Sequence, residues 1–408
     1  MTPDELAAAR WFRAKHRHIA GLREVEREPL GPGNLVVLEV TYVDGGGPDR
    51  YLVPEVDGHE PADGSGMWAA IVELIAGGAG AGAFRSQPLT ELEPGPMYER
   101  RLGVEQSNTS VVIGDRLILK LYRLLEPGEN PDLEIGAFLT DAGFADTPAV
   151  LGALRHVNSG GEPATAAMLQ VYVPATGDAW SGMLAALADH PDRATGMADA
   201  IGHITARMHA ALASRPDDTA FPVRAATVEE TAAWRASAEG QLAGAIAALS
   251  GDAHARLVAV APAIRARFAD AFGRASGEEV VTRIHGDYHL GQLLARTDGG
   301  FSVIDFEGEP ARPLAERRRP TSPLRDVAGM LRSLDYAART AGATGPVRAE
   351  SWLPKARDAF LGAYGAIGPL VEAFELEKAC YEVRYEASNR PDWLWLPLAA
   401  VERLAGAG

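Results

Sequence analysis

The sequence predicts an α+β protein with three successive regions: a small α+β module, a β-rich lobe and a mainly helical lobe. Three observations carry this. A chain of 408 residues exceeds what one hydrophobic core organises, so two or three domains are expected. Up to about residue 173, short β-branched and apolar runs alternate with small polar turns. From Ala179 onward the chain is Ala-rich, with apolar residues at helical spacing. The boundaries fall at residues 1–90, 91–173 and 174–408.

Composition narrows the function. A hydrophobic content of 47% with mixed charge marks a globular chain. The net charge of -16 argues against nucleic acid, whose phosphates want clustered Lys and Arg. Cys380 is the only cysteine, which excludes an intramolecular disulfide framework and fits a reducing cytoplasm. The N-terminus has charged residues and no long apolar stretch, so no signal peptide is expected, and no run of eighteen apolar residues suggests a membrane span. Lysine is rare: Lys15, Lys120, Lys355 and Lys378 are the only four among 39 basic residues.

The first module opens on Arg10-Trp11-Phe12, whose rings read as a local hydrophobic plug. Leu35 to Val43 is a strong β run, broken by Asp44-Gly45-Gly46-Gly47-Pro48. Tyr51 to Val56 reads as its hairpin partner, with Pro54 suited to a sheet edge. Met67 to Ala76 reads as a short amphipathic helix stopped by Gly77-Gly78, and Gly77 to Ala83 as a turn or linker.

The β-rich lobe starts with three short strands, Arg101 to Gln106, Thr109 to Ile113 and Arg116 to Tyr122. The small polar turn from Gln106 to Ser110 holds Ser107, Asn108 and Thr109, and can offer backbone N–H groups to a phosphate. No G-x-x-x-x-G-K-[ST] occurs, so a Walker-type nucleotidase is unsupported. Asn130-Pro131-Asp132 caps and starts a helix running to Asp141. Pro148 to Leu154 and Ala164 to Val173 read as two further strands, the second nearly all apolar.

In the helical lobe, Arg193 to Ala213 carries Ile201, Ile204, Thr205 and Met208 at helical spacing, and His209 reads as a packed core residue. Thr227 to Leu249 and Asp252 to Phe272 read as a helical hairpin turning at Ser250-Gly251, with no chemistry visible. Ser322 and Pro323 suit the N-cap and first position of a helix, and Arg325-Asp326 read as local ion pairs anchoring the preceding loop. Phe374 to Ser388 reads as a helix with Tyr381, Tyr385 and Asn389 four apart on one face. Aromatic rings beside polar acceptors suit a sugar, and a tyrosine stripe also suits a packed core.

Chemistry concentrates in Ile284 to Pro310, I-H-G-D-Y-H-L-G-Q-L-L-A-R-T-D-G-G-F-S-V-I-D-F-E-G-E-P. A polar loop, His285-Gly286-Asp287, precedes Leu293-Leu294, a turn, and a strand-like run Phe301 to Ile304 that ends on Asp305. This hairpin-like element brings Asp287, Gln292 and Asp305 together. Such oxygen ligands suit Mg²⁺, which takes carboxylates plus substrate phosphates. Asp287 is then left to accept the proton of an attacking hydroxyl, as phosphoryl transfer requires. Each acid alone also suits a helix cap or a turn; both together, with Gln292 between, fit those roles poorly.

The pattern H-G-D-x-H-x-x-[NQ]-[VIL]-L followed by I-D-F-E resembles the catalytic and metal loops of the aminoglycoside-phosphotransferase-like kinases, small-molecule relatives of protein kinases. The fuller form H-G-D-Y-H-L-G-Q-L-L…D-F-E-G-E-P…R-R-P…S-P-L-R-D-V-A-G-M-L-R-S-L-D-Y-A is similar to the actinobacterial maltokinase and glucosamine kinase branch. That branch shares Gln292, where many members of the wider superfamily have Asn. The N-terminal R-W-F-x-x-K resembles its cap region. The resemblance implies a bilobal protein-kinase-like fold, β-rich N-lobe and helical C-lobe, with an additional N-terminal cap subdomain. It also implies ATP and Mg²⁺.

Residue by residue, it implies that Asp287 is the catalytic base and that Gln292 and Asp305 hold the metal. Lys120, in the strand L-I-L-K-L-Y, would orient the α- and β-phosphates, paired with Glu134; E-x-x-x-F-L ranks Glu134 above Asp132. Gln170 to Val173 would be the adenine hinge, with Gln170, Tyr172 and Val173 in contact. The segment Y-E-V-R-Y-E-A-x-N-R-P-D-W resembles the acceptor wall of this branch. It implies substrate contacts from Tyr381, Glu382, Tyr385, Asn389 and Trp393, joined by His289, Glu309 and Arg312. Arg312, Arg317, Arg318 and Arg319 stabilise developing charge or form a solvated patch.

The resemblance implies a small-molecule sugar or amino sugar as acceptor. A pocket of Asp287, Glu307, Glu309, Glu382 and Glu386 favours a cationic amino sugar, D-glucosamine to glucosamine 6-phosphate, with maltose to maltose 1-phosphate as the alternative. A monomer or weak dimer is expected. A non-catalytic kinase-like binding protein is the reading of another class, and the intact set Lys120, Asp287, Gln292 and Asp305 speaks against it. A protein kinase lacks support, since no H-R-D, D-F-G or A-P-E segment occurs.

Overall fold

The computed structural model describes residues 1–103, 107–275, 277–310, 312–344, 349–365 and 368–406. The chain divides into two compact units, Met1–Pro174 and Ala175–Gly408.

The first unit begins with α1 (Pro3–Ala8), held by a capping box in which Thr2 and Glu5 satisfy each other's backbone N–H. β1 (Ile19–Leu30), β2 (Gly33–Tyr42) and β3 (Asp49–Glu55) form an antiparallel sheet in that order. β3 is its edge strand, which suits Pro54. α2 (Met67–Gly77) ends on Gly78 in the left-handed region. Then come β4 (Gly80–Ala81), β5 (Phe84–Pro88), β6 (Glu99–Arg101), β7 (Asn108–Ile113), β8 (Leu117–Tyr122), α3 (Pro131–Asp141), β9 (Val150–Val157) and β10 (Pro163–Val171). Among the described residues these strands form one sheet, ordered β4-β5-β9-β10-β8-β7-β6.

The two-residue period of β2 explains the packing. Leu35 and Val37 face α2, where Trp68, Ile71 and Ile75 are fully buried, and that core runs on into Leu119, Leu121 and Leu169 of the larger sheet. Val36, Leu38 and Val40 face the other way, onto Trp11 and Phe12. The plug read from the sequence is therefore present: both rings pack on Tyr51, with centroids 5.9 and 5.2 Å away. Phe84–Pro88 is a strand of the larger sheet, and the core of the first unit is continuous on both sides of residue 90. The strand expected over Arg101 to Gln106 is only Glu99–Arg101 among the described residues; 104–106 lie outside them.

The second unit holds a small antiparallel sheet of β11 (Ala175–Asp178), β14 (Leu293–Arg296) and β15 (Phe301–Val303), and a pair β12 (Arg224–Ala225) with β13 (Val280–Val281). Its helices are α4 (Ala179–Asp189), α5 (Pro191–Leu212), α6 (Val228–Ala248), α7 (Gly251–Ala275), α8 (Leu314–Arg317), α9 (Leu324–Thr344), α10 (Ala349–Tyr364), α11 (Leu370–Asn389) and α12 (Trp395–Leu404). α6 starts on a capping box of Thr227 and Glu230. α11 packs on α6 and α9, burying Leu376, Cys380 and Val383. Arginines bind the helices further: Asp335 on α9 accepts from Arg339 (2.7 Å) and from Arg403 on α12 (3.1 Å), and Arg357 on α10 grips Glu375 on α11 (2.7 and 2.8 Å). Among the described residues, no helix is long and apolar enough to cross a membrane.

Candidate active site

The loop before β14 is fixed from below. Asp326, at the start of α9, accepts from the backbone N–H of His285 (2.8 Å) and of Gly286 (2.9 Å). His209 on α5 supports it, with Nε2 donating to Asp326 (3.0 Å), while Tyr364 OH lies 3.0 Å from Nδ1. Burial alone would raise the Asp326 pKa; His209, His285 and the Gly286 N–H together outweigh burial and hold the carboxyl below its ordinary value. Asp326 was expected to pair locally. It instead anchors a loop 40 residues upstream, and Arg325 reaches Glu377 on α11 (2.9 Å).

Local backbone geometry explains two glycines. Gly286 has φ +87°, a region that a side chain rarely adopts, and a Cβ there would lie 3.3 Å from Gly308 Cα. Gly329 on α9 lets the helix approach the loop, since a Cβ would lie 2.7 Å from the Tyr288 carbonyl oxygen. His285, 1% exposed, donates from Nε2 to the Ile304 carbonyl (2.9 Å) and packs on Tyr288 and Phe306, joining the loop to the end of β15.

Asp305 has φ +67°, a left-handed conformation that Asp tolerates better than most residues and that clusters at functional sites. Gln292 Nε2 donates to Asp305 Oδ2 (3.2 Å). With its nitrogen committed in this way, the carboxamide has its oxygen left as a ligand. That oxygen and a carboxylate make a donor set suited to a hard cation.

Asp287 opens onto a cavity of about 780 Å³ in the second unit. His289, Glu309, Arg312, Tyr381, Glu382 and Tyr385 line it as well. The rings of Tyr381 and Tyr385 stack, centroids 6.3 Å apart and 24° between planes. Lys378 lies between the acids: Nζ is 2.6 Å from Glu309 Oε1 and 3.8 Å from Asp287 Oδ1. Burial works against the Glu309 carboxylate, yet Lys378 and Arg312 outweigh it and hold the pKa at about 2. Glu382 shows the opposite balance: burial raises its pKa despite Arg332, whose Nε and Nη2 both donate to Oε2 (2.9 and 2.7 Å). Burial pushes His289 down; its Nδ1 accepts from the Gly291 N–H (3.0 Å), so the neutral ring carries its proton on Nε2.

In the first unit, Lys120 lies on the face of β8 that α3 covers. It is 8% exposed, which excludes a solvated strand lysine, and its Nζ donates to Asp132 Oδ2 (2.8 Å). Tyr122 OH donates to the same oxygen (2.8 Å). A buried ammonium needs such a partner.

The phosphotransferase enzyme family matches residues 99–371, and the maltokinase N-terminal cap domain matches residues 6–81. The chain belongs to the phosphotransferase enzyme family. This phosphotransferase is 31% identical to a glucosamine kinase of Streptacidiphilus jiangxiensis, over 85% of this chain and 84% of the relative. It is 29% identical to a glucosamine kinase of Mycolicibacterium smegmatis, over 94% of this chain and 99% of the relative. Among solved structures it resembles a glucosamine kinase in complex with glucosamine, ADP and inorganic phosphate, with TM-score 0.77, 26% identity and 99% of each chain covered. A second crystal form of glucosamine kinase gives TM-score 0.79 at 26% identity, with both chains fully covered.

The phosphotransferase structure places the other expected site residues and corrects some expectations. Lys120 Nζ donates to Asp132, the acid ranked below Glu134, and both acids lie on the first turn of α3. Asn108 and Thr109 belong to β7 and not to a turn, and the Thr109 hydroxyl accepts from Arg123 (2.8 Å). Ser107 precedes that strand, and Gln106 lies outside the described residues. At the expected hinge, the Tyr172 N–H already donates to the Arg116 carbonyl (2.8 Å), and Gln170 Nε2 to the Pro148 carbonyl (3.4 Å); Val173 follows at the unit's end. Asn389 and Trp393 do not line the cavity: Asn389 donates back to the Tyr385 carbonyl (2.8 Å), and Trp393 faces the Arg390 guanidinium. Nor is the pocket a bare acidic surface, since Glu386 is gripped by Arg390 (2.9 and 2.6 Å) and Glu307 is not among the lining residues.

Three features of the phosphotransferase were missed. Lys378 carried a usable signal, the same lysine rarity that singled out Lys120. The roles of His209 and Asp326 carried none, because their partners come from distant segments. Helix α6, read as free of chemistry, supplies Trp234, Ser237 and Gln241 to the cavity wall.

Proposed function

We propose that this phosphotransferase moves the γ-phosphoryl group of ATP to a hydroxyl of an amino sugar, D-glucosamine giving glucosamine 6-phosphate. The observation that carries the reading is the cavity itself. Asp287, the stacked Tyr381 and Tyr385, and Glu382 face one space, and Glu382 Oε1 has no bonded partner among the described residues. The rings cover an apolar sugar face, and Glu382 Oε1 is the carboxylate oxygen available to the sugar ammonium. Sequence similarity to two glucosamine kinases supports the same choice.

In the proposed reaction, Asp287 accepts the proton of the attacking hydroxyl. The oxygen's electron pair forms the new O–P bond as the bond to the β,γ-bridging oxygen breaks, and that pair leaves on ADP. Asp326 keeps Asp287 in position through the two backbone bonds at His285 and Gly286. His289 Nε2 is placed to donate to a sugar oxygen. Gln292 and Asp305 are the residues that would hold Mg²⁺, which neutralises phosphate charge when bound. Lys120, fixed by Asp132, is the cation proposed for the α- and β-phosphates.

The test is a sugar panel with ATP and Mg²⁺, following ADP release. Glucosamine is predicted to turn over fastest. Maltose to maltose 1-phosphate is the second reading, favoured by the match to the maltokinase cap domain; faster turnover of maltose would transfer the substrate assignment to it. No turnover on any sugar would remove the proposal.

A further inference from the structure

Lys378 has no role in the reaction as set out above, yet it is the cation nearest the proposed base among the described residues. Its Nζ is 3.8 Å from Asp287 Oδ1, 2.6 Å from Glu309 Oε1 and 5.1 Å from the Tyr381 ring centroid. Helix α11 is packed on α6 and α9 along its length, so the lysine stem rises from a rigid wall.

Charge accounting shows that the ammonium is not tied to one partner. Glu309 receives two cations, Lys378 at Oε1 and Arg312 at Oε2 (2.7 Å). Asp287 and Glu309 carry two negative charges, and Lys378 and Arg312 carry two positive ones, so the group is neutral as it stands. An ammonium has three donors, and one suffices for Glu309. Arg312 keeps Glu309 neutralised if Lys378 turns its remaining donors elsewhere. Burial lowers the Lys378 pKa, but Glu309 and Asp287 outweigh it and raise the group, so the ammonium stays charged.

A base takes its proton across a hydrogen bond of roughly 2.6–3.2 Å, and the reacting atoms meet at about 3–3.5 Å. An ammonium 3.8 Å from the base oxygen can therefore reach an oxygen hydrogen-bonded to that base and the phosphoryl group it attacks. Negative charge gathers there as the phosphoryl group transfers, on its equatorial oxygens. We infer that Lys378 is a catalytic residue of this phosphotransferase, donating to the transferred phosphoryl group in the transition state while Arg312 holds Glu309. The inference rests on the proposed reading of Asp287 as the base. Lys378 thereby supplies a second phosphate-directed cation, from an element far in sequence from the H-G-D loop. A sugar-binding lysine is the competing role, and the two differ in what they do without sugar.

The experiment compares wild type with Lys378→Met and Lys378→Arg in the full chain. It measures kcat and the KM for glucosamine, and also the slow hydrolysis of ATP to ADP and phosphate with no sugar present. Circular dichroism and the thermal midpoint establish that each variant is folded. The expected result is a fall in kcat of about 10²–10³-fold for Lys378→Met, the size seen when one preorganised donor to developing charge is lost. The glucosamine KM should change less than about threefold, the sugar-free hydrolysis should fall in parallel, and Lys378→Arg should recover part of both. A kcat within about threefold of wild type, or intact sugar-free hydrolysis with a raised glucosamine KM, overturns the inference and leaves a sugar contact. If wild type proves inactive on glucosamine, the proposed acceptor fails. The same variants are then compared on sugar-free hydrolysis, which decides the role of Lys378 independently.

Discussion

At the scale of single residues, a small number of side chains carry distinct duties. Asp287 is the proposed base, and Asp287→Asn should lower kcat by roughly 10²–10⁴-fold with the fold intact, read by steady-state kinetics beside a melting curve. Asp326 differs, since it is 2% exposed and accepts from two backbone N–H groups and from His209. Asp326→Ala leaves His209 and two loop N–H groups without their acceptor, so it should cost about 3–5 kcal/mol of stability as well as activity. Denaturant unfolding checks this, and a variant as stable as wild type would contradict the anchoring role. Two site residues show how far sequence reasoning reaches. Lys120 was legible because a lysine in an apolar strand conflicts with its surroundings. The Asp132 contact was not, because Asp132 and Glu134 lie on one helical turn, behind the Asn130 cap, and the residue pattern does not separate them.

At the scale of elements, α11 supplies the wall on which the acceptor reading depends. Tyr385→Ala should raise the glucosamine KM by about tenfold with kcat changed much less, because a ring that covers a sugar face binds ground and transition states alike. An unchanged KM would place the sugar elsewhere. The geometry of this helix also explains one failed expectation. Residues four apart advance about 40° around an α-helix, so Asn389 lies about 80° round from Tyr381 and leaves the cavity face. Four-residue spacing identifies neighbours, not a straight line of ligands. β1 was missed for another reason. Its sequence I-A-G-L-R-E-V-E-R-E-P-L is rich in charge, and charged residues on a half-exposed edge strand hide the alternation that β2 shows plainly. The hairpin β14–β15 was legible because its turn, Thr297 to Gly300, and its apolar runs agree with each other.

At the scale of the whole molecule, the excess of acid is partly spent inside the second unit, where arginines and Lys378 pair with carboxylates. Glu230, Glu309 and Asp335 are each held at about 2 by such partners, against the ordinary value of 4.5 for Glu or 3.8 for Asp. The unfolded chain therefore takes up protons first as the pH falls. Their stabilisation is complete above about pH 5 and drains away as the pH drops through 4.5 towards 2. The denaturant midpoint should fall between pH 6 and pH 3, and Glu309→Gln should flatten part of that slope; a slope identical to wild type would exclude Glu309 as a contributor. The division near residue 174 was legible in the change from strand-like to helical composition, whereas the shared core of the first unit was not, because it is built from residues far apart in the chain. The central claim, Asp287-dependent phosphoryl transfer to an amino sugar, is tested most directly by incubating the protein with ATP, Mg²⁺ and glucosamine and resolving the products by phosphorus NMR. The account predicts glucosamine 6-phosphate and ADP in equal amounts, with both lost in Asp287→Asn; ADP without a phosphorylated sugar, or full product from Asp287→Asn, would contradict it.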